Sequence, residues 1–152
     1  VPVNEDSAAF LDRIASQPTV MEDDALHGLL LLLNGEDAAG SLEERASALR
    51  QRGVLPGDWD WEAARPISRG RVAYAIYQAC DFPGGVILRV TGPSRRYCLR
   101  ELSYRRMMGN GSQFAPVTGM EFAAILGRAD IYRRTGEVPD RTWSQAGSGG
   151  LD

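Results

Sequence analysis

Two stretches decide how this chain is read: Pro66-Ile67-Ser68-Arg69-Gly70-Arg71-Val72-Ala73 and, 50 residues on, Pro116-Val117-Thr118-Gly119-Met120-Glu121-Phe122-Ala123. Each places a proline and a β-branched residue ahead of Ser or Thr. An apolar helical pattern follows: Val72, Ala75, Ile76 and Ala79 in one, Phe122, Ile125 and Leu126 in the other. A Ser or Thr in that position is an N-cap, its hydroxyl accepting a backbone N–H that the helix cannot pair internally. Thr118 has Glu121 three residues later and forms a capping box, whereas Ser68 has Arg71 there and forms half of one.

The same punctuation recurs outward from these stretches. Pro18-Thr19-Val20-Met21-Glu22 reads as a further box, with Leu26, Leu29, Leu30 and Leu33 at helical spacing as far as Gly35. Ser41 with Glu44 opens a segment through Ala46 and Leu49 that ends at Gly53, and Ser94 opens one through Tyr97, Leu99, Leu102 and Tyr104. Phe10, Leu11 and Ile14 form an opening helix ahead of Pro18. Thr19, Ser68 and Thr118 lie 49 and 50 residues apart, and Ser41 and Ser94 lie 53 apart. Ala46, Leu49, Arg52 and Val54 fall in register with Leu99, Leu102, Arg105 and Met107. The spacing predicts an all-α fold of three degenerate helix–loop–helix repeats, the first shortened. They pack around a shared core because one hairpin cannot bury its apolar face alone. Residues 1–134 form a single helical repeat domain in this reading. Gly and Pro punctuate 82–93 and suggest a loop or a short strand near 86–90, and 135–152 reads as a polar, mobile tail.

Composition sets the outer limits. The chain has 152 residues, 43% of them hydrophobic and 24% charged, which is core enough for one domain and too apolar for a disordered chain. The longest apolar run, Leu29 to Leu33, is far short of the roughly 20 residues that span a bilayer. Net charge is −3, but residues 1–62 carry 13 acidic side chains and 4 Arg while residues 63–141 carry 6 acidic side chains and 13 Arg. Such asymmetry suits either an anionic partner or attraction between two parts of the fold. All 17 basic residues are Arg, which matches genome composition better than ligand choice. Cys80 and Cys98 are compatible with a disulfide or with two buried thiols.

Candidate binding residues follow from charge and aromaticity. Arg69 and Arg71 stand where a helix N-terminus repels cations, so something anionic is expected beside them. Arg95, Arg96 and Arg100, with Arg105 and Arg106, form a basic cluster in which Arg96 and Arg100 share a helical face. Trp59 and Trp61 alternate with Asp58, Asp60 and Glu62, and their faces can stack on sugar rings, receive an arginine or plug the end of a core. His27, the one histidine, sits near Asp23 and Asp24 and suits a surface or packing role. Asn110-Gly111-Ser112 is formally a glycosylation acceptor and reads better as a turn. There is no nucleophile elbow, phosphate-cradling glycine loop or zincin motif, and no zinc-type His/Cys spacing, so no catalytic site, cofactor or metal is expected. Overall acidity and the lack of Lys disfavour nucleic acid as a partner.

This pattern resembles the S-layer homology family, whose repeats of about fifty residues open their second helix on a hydrophobic-Thr-Arg-Ala-Glu signature. The matching stretches are those after Pro18, Pro66 and Pro116, together with the turn Gly53-Val54-Leu55-Pro56-Gly57, and the likeness covers about residues 7–132. It implies a three-lobed helical domain that binds acidic cell-wall polysaccharide in grooves between repeats through the signature Arg and its neighbours. Arg69 alone matches that Arg; Val20 and Gly119 stand at the other two positions, and Arg71 replaces the central Glu. The expectation is a non-enzymatic, extracytoplasmic cell-envelope module that docks an anionic wall glycan or a protein partner, with Arg69, Arg71, Trp59, Trp61, Arg95, Arg96 and Arg100 as its contact residues. The alternative is a helical interaction subunit of a larger complex, without a glycan ligand and cytoplasmic in location.

Overall fold

Helix starts are fixed by side-chain caps at four of the expected places. A computed structural model of the chain describes residues 7–82 and 94–139. Ser41, Ser68, Ser94 and Thr118 each accept the backbone N–H three residues ahead, from Glu44, Arg71, Tyr97 and Glu121. They open α3 (Leu42–Gln51), α4 (Arg69–Cys80), α5 (Arg95–Tyr104) and α6 (Gly119–Thr135), which follow α1 (Ser7–Ala15) and α2 (Glu22–Asn34). All six elements among the described residues are helices, so the fold there is all-α. The loop or short strand expected near 86–90 lies outside the described residues, as do residues 140–152 of the expected tail. The helix before that tail runs to Thr135, and Val138 still packs against the core.

Thr19 is not a cap. The N-cap of α2 is Met21, which makes no side-chain capping bond, and the helix begins two residues later than the expected box. The reciprocal half of the other boxes also goes elsewhere. Glu44 accepts the N–H of Gly40 at 2.7 Å, and Glu121 accepts that of Gly109 at 3.0 Å, rather than that of the cap residue.

The extended segments before α2, α4 and α6 knit the fold at its centre. The N–H of the first residue of each helix donates to the neighbouring segment: Glu22 to Arg65 O (2.8 Å), Arg69 to Ala115 O (2.7 Å) and Gly119 to Gln17 O (3.0 Å). These three bonds run from one segment to the next and close a ring. Ile67 also donates to Val20 O and Val20 to Val117 O. Val20, Ile67 and Val117 fill the middle at 0–1% exposure. Burying each β-branched side chain there contributes about 1.5–3 kcal/mol.

Helices then pack around this ring. The core includes Phe10 and Ile14 of α1, Leu26 and Leu29 of α2, Leu49 of α3, Ile76 of α4, Leu102 of α5, and Phe122 and Ile125 of α6. Main contacts are α4 on α5, α1 on α6 and α2 on α3. α3 and α5 end alike. Arg52, Gly53 and Val54 donate to Ala48, Arg50 and Leu49, and 53 residues later Arg105, Arg106 and Met107 donate to Glu101, Ser103 and Leu102. Gly53 at φ 76° and Arg106 at φ 62° take the same left-handed turn, which costs a non-glycine residue conformational strain and favours Gly.

Candidate functional site

Arg69 and Arg71, candidates for an anionic ligand, both meet carboxylates of the protein itself. Arg69, 8% exposed at the start of α4, forks onto Glu121 of α6 (Nη1 to Oε1 2.7 Å, Nη2 to Oε2 2.5 Å) and also donates to Gly109 O. Burial acts to raise the Glu121 carboxyl, but Arg69 and the Gly109 N–H outweigh it and hold it below the ordinary carboxylate range. Arg69 is therefore committed within the fold.

Arg71 is committed differently. Its guanidinium lies 4.8 Å from the ring centre of Trp59 and 4.7 Å from that of Trp61, and donates to Asp60 O at 2.6 Å. Glu22 lies 3.7 Å away, itself 2% exposed and held by Arg65 and the Glu62 N–H. Burial pulls the Arg71 pKa down from its ordinary value, with Glu22 opposing. Of the roles open to the two indoles, receiving an arginine is the one adopted, and both rings are half-buried against the core. Trp59 also tilts onto Tyr74 at 5.0 Å, and the Arg95 guanidinium lies 5.5 Å from the Trp59 ring centre.

Arg96 and Arg100 stand apart from these commitments. Both are exposed on α5, and neither makes an ion pair or hydrogen bond among the described residues. They line a groove of about 420 Å³ with Leu99, Asn110, Gly111, Ser112, Gln113 and Phe114. The loop that forms its far wall is anchored by the Ala115 N–H on Ser112 O (3.1 Å) and by Gly70 of α4, whose N–H donates to Gln113 O at 2.8 Å. Phe114 is 73% exposed at the rim. The groove thus offers two guanidinium groups unpaired among the described residues, an amide-rich wall and an exposed aromatic face. That set suits charge-assisted hydrogen bonds to an anion and stacking on a flat apolar ring face. The cations of the groove are legible in the sequence as one helical face; Asn110, Gln113 and Phe114 are not, because their partners in space lie on another element.

The remaining candidates resolve as structure. Gly119 has no room for a side chain: a Cβ there would sit 1.8 Å from Ile14 O. Arg105 pairs with Glu101 at 2.8 Å and lies 4.4 Å from the ring centre of Phe82. His27 meets Asp37 at 2.6 Å rather than Asp23 or Asp24, and stacks edge-on to Phe10. Cys80 and Cys98 are free, buried thiols, each pushed up by burial to about 12. Among the described residues no group of His, Cys, Asp and Glu could hold a metal ion, and no helix is long and apolar enough to cross a membrane. Compared with known proteins, the chain matches no family model, no curated protein and no solved structure.

Proposed function

We propose that this chain is a non-enzymatic binding module of the cell envelope that holds an anionic wall glycan in the groove between α5 and the loop at 109–116. The observation that carries the proposal is the pair Arg96 and Arg100, unpaired among the described residues, facing Asn110, Ser112, Gln113 and an exposed Phe114 across one groove. Arg69, which matches the signature Arg of the resemblance, and Arg71, which does not, act in this proposal as supports that hold the loops. Trp59 and Trp61 serve with them, and Arg95 flanks them.

Three helix–loop–helix units of S-layer homology type, α1–α2, α3–α4 and α5–α6, make up the proposed architecture, the second helix of each packing on the first helix of the next. Support comes from the ring of bonds through Glu22, Arg69 and Gly119, and from the matched endings of α3 and α5. The first hairpin carries one extra residue after its proline, which accounts for Met21 rather than Thr19 as cap.

Co-sedimentation with purified bacterial cell walls, before and after removal of their acidic polymer, tests this function. Wild type should pellet only with the intact wall. Arg96→Ala/Arg100→Ala should remain in solution, and Arg134→Ala, an exposed cation outside the groove, should pellet normally. Pelleting of the double variant at the wild-type level would overturn the assignment.

A second reading has its own support. Tyr104, Phe114 and Met120 are 70–81% exposed and all fall between residues 104 and 120. Large exposed apolar side chains suit a protein partner where they form one patch, as in an interaction subunit. Association that survives high salt and needs Tyr104 and Met120, but not Arg96 or Arg100, would select it.

A further inference from the structure

The α5 groove has a counterpart on α3. A cavity of about 80 Å³ is lined by Leu42, Glu43, Ala46, Arg50 and Trp61. In the 53-residue register set by the matched helix endings, Glu43 and Ala46 correspond to Arg96 and Leu99, which line the open groove. The loops agree as well. Arg65 N–H donates to Glu62 O as Ala115 N–H does to Ser112 O, and Pro66 and Pro116 each bridge to the segment beside it. The residue just before that turn is Trp61 in one loop and Gly111 in the other. Trp61 lines the smaller cavity and Gly111 the larger, about 80 against 420 Å³, and a Cβ at Gly111 would lie 3.2 Å from the Arg69 side chain.

The indole is also held in place. Arg71 covers both Trp61 and Trp59, and Arg50 donates to Trp59 O at 3.1 Å. In α6 the residue corresponding to Arg71 is Glu121, which Arg69 draws onto Gly109; beside Gly111 it is the Arg69 side chain that lies close, with no ring for it to hold.

We infer that the α3 groove is the closed counterpart of the α5 groove, with Trp61 filling one and Gly111 leaving the other open, so that the chain offers one site for an anionic sugar. The ligand in this statement rests on the function proposed above; the open-and-closed relationship rests on the geometry alone.

Two measurements separate them. The first is alkylation of Ala46→Cys, with the buried Cys80 and Cys98 of the parent chain setting the background. Adding Trp61→Gly should speed alkylation about tenfold or more, as a shielded position becomes accessible. Circular dichroism confirms that each variant is folded, and Trp61→Ala replaces Trp61→Gly if the latter is not. An unchanged rate in a folded variant overturns the inference. The second is calorimetric titration with tetragalacturonate. Wild type should bind one equivalent, and Glu43→Arg/Ser47→Arg/Trp61→Gly should bind two. Two equivalents on wild type, or one on the folded triple variant, also overturn it. Faster alkylation with no tetragalacturonate bound to wild type would remove the proposed ligand and keep the closed counterpart.

Discussion

Arg69 and Glu121, 52 residues apart in sequence, are joined by both guanidinium nitrogens at 2.7 and 2.5 Å, and this fork binds the start of α4 to the first turn of α6. Removing one partner leaves a buried charge unpaired, a loss of about 3–5 kcal/mol in the interior and less here, because Glu121 keeps some solvent contact. Arg69→Ala should therefore lower unfolding stability by about 2–4 kcal/mol in urea denaturation. Arg69→Met/Glu121→Leu should lose less than Arg69→Ala. A loss under about 1 kcal/mol in Arg69→Ala would show the pair to be a weak surface contact.

Two glycines of α6 should respond oppositely to the same substitution. A Cβ at Gly119 would meet Ile14 O at 1.8 Å and Gln17 O at 2.8 Å, both backbone atoms, so Gly119→Ala must displace α1 from α6. It should cost more than about 3 kcal/mol or prevent folding. Gly127 has nothing within 4 Å of its Cβ position, and Gly127→Ala should stabilise by about 0.5–1 kcal/mol through helix propensity. Thermal melts of the two variants check both signs.

Acid should weaken the fold in a defined window. Burial acts to raise the Asp37 carboxyl, but hydrogen bonds from Arg45, His27 and the Ala39 N–H hold it below its ordinary value, as Arg69 and Gly109 do for Glu121. A carboxyl with a depressed folded-state pKa stabilises fully above its unfolded value and loses that contribution as pH falls through the folded value. Stability from these two groups should hold down to about pH 4–5 and decline below it. Asp37→Asn should lower the plateau and flatten the decline, as read by urea midpoints across pH.

The thiols should be silent in the native state. Cys80 and Cys98 are at most 7% exposed, and burial pushes both to about 12, so the nucleophilic thiolate is scarce. A thiol-reactive chromophore at mildly alkaline pH should react slowly with native protein and with two thiols per chain once denatured. One fast thiol, or none after denaturation, would contradict this.

Phe114 separates binding from stability. Its ring is 73% exposed, so Phe114→Ala should leave the melting temperature unchanged. Loss of one stacking contact of about 1 kcal/mol should weaken wall-glycan affinity about fivefold. Equal affinity would confine the site to its cations.

What the sequence reveals here is local. Ser41, Ser68, Ser94 and Thr118 cap within three residues of themselves, and the 53-residue register of Leu49 with Leu102 needs only apolar spacing. Thr19 misleads because one extra residue follows Pro18 and the local signal does not count residues across a bridge to Pro66. Arg69 and Arg71 read locally as candidates for an anionic ligand because they stand at a helix N-terminus. Glu121 and Glu22 meet them from 52 and 49 residues away, and no local pattern encodes the match. The groove is hidden for the same reason: Arg96 and Arg100 read as one helical face, but Phe114 joins them only when the loop folds back.

The ring of backbone bonds at the centre also governs when the chain can finish folding. Its last link joins the Gly119 amide to the carbonyl of Gln17. A nascent polypeptide leaving the ribosome cannot close this ring, or dock α1 on α6, until residue 119 and the helix after it have emerged. Long-range closures of this kind slow folding and expose apolar surface meanwhile. The order of synthesis, rather than the strength of any one helix, therefore sets the moment at which this protein becomes whole.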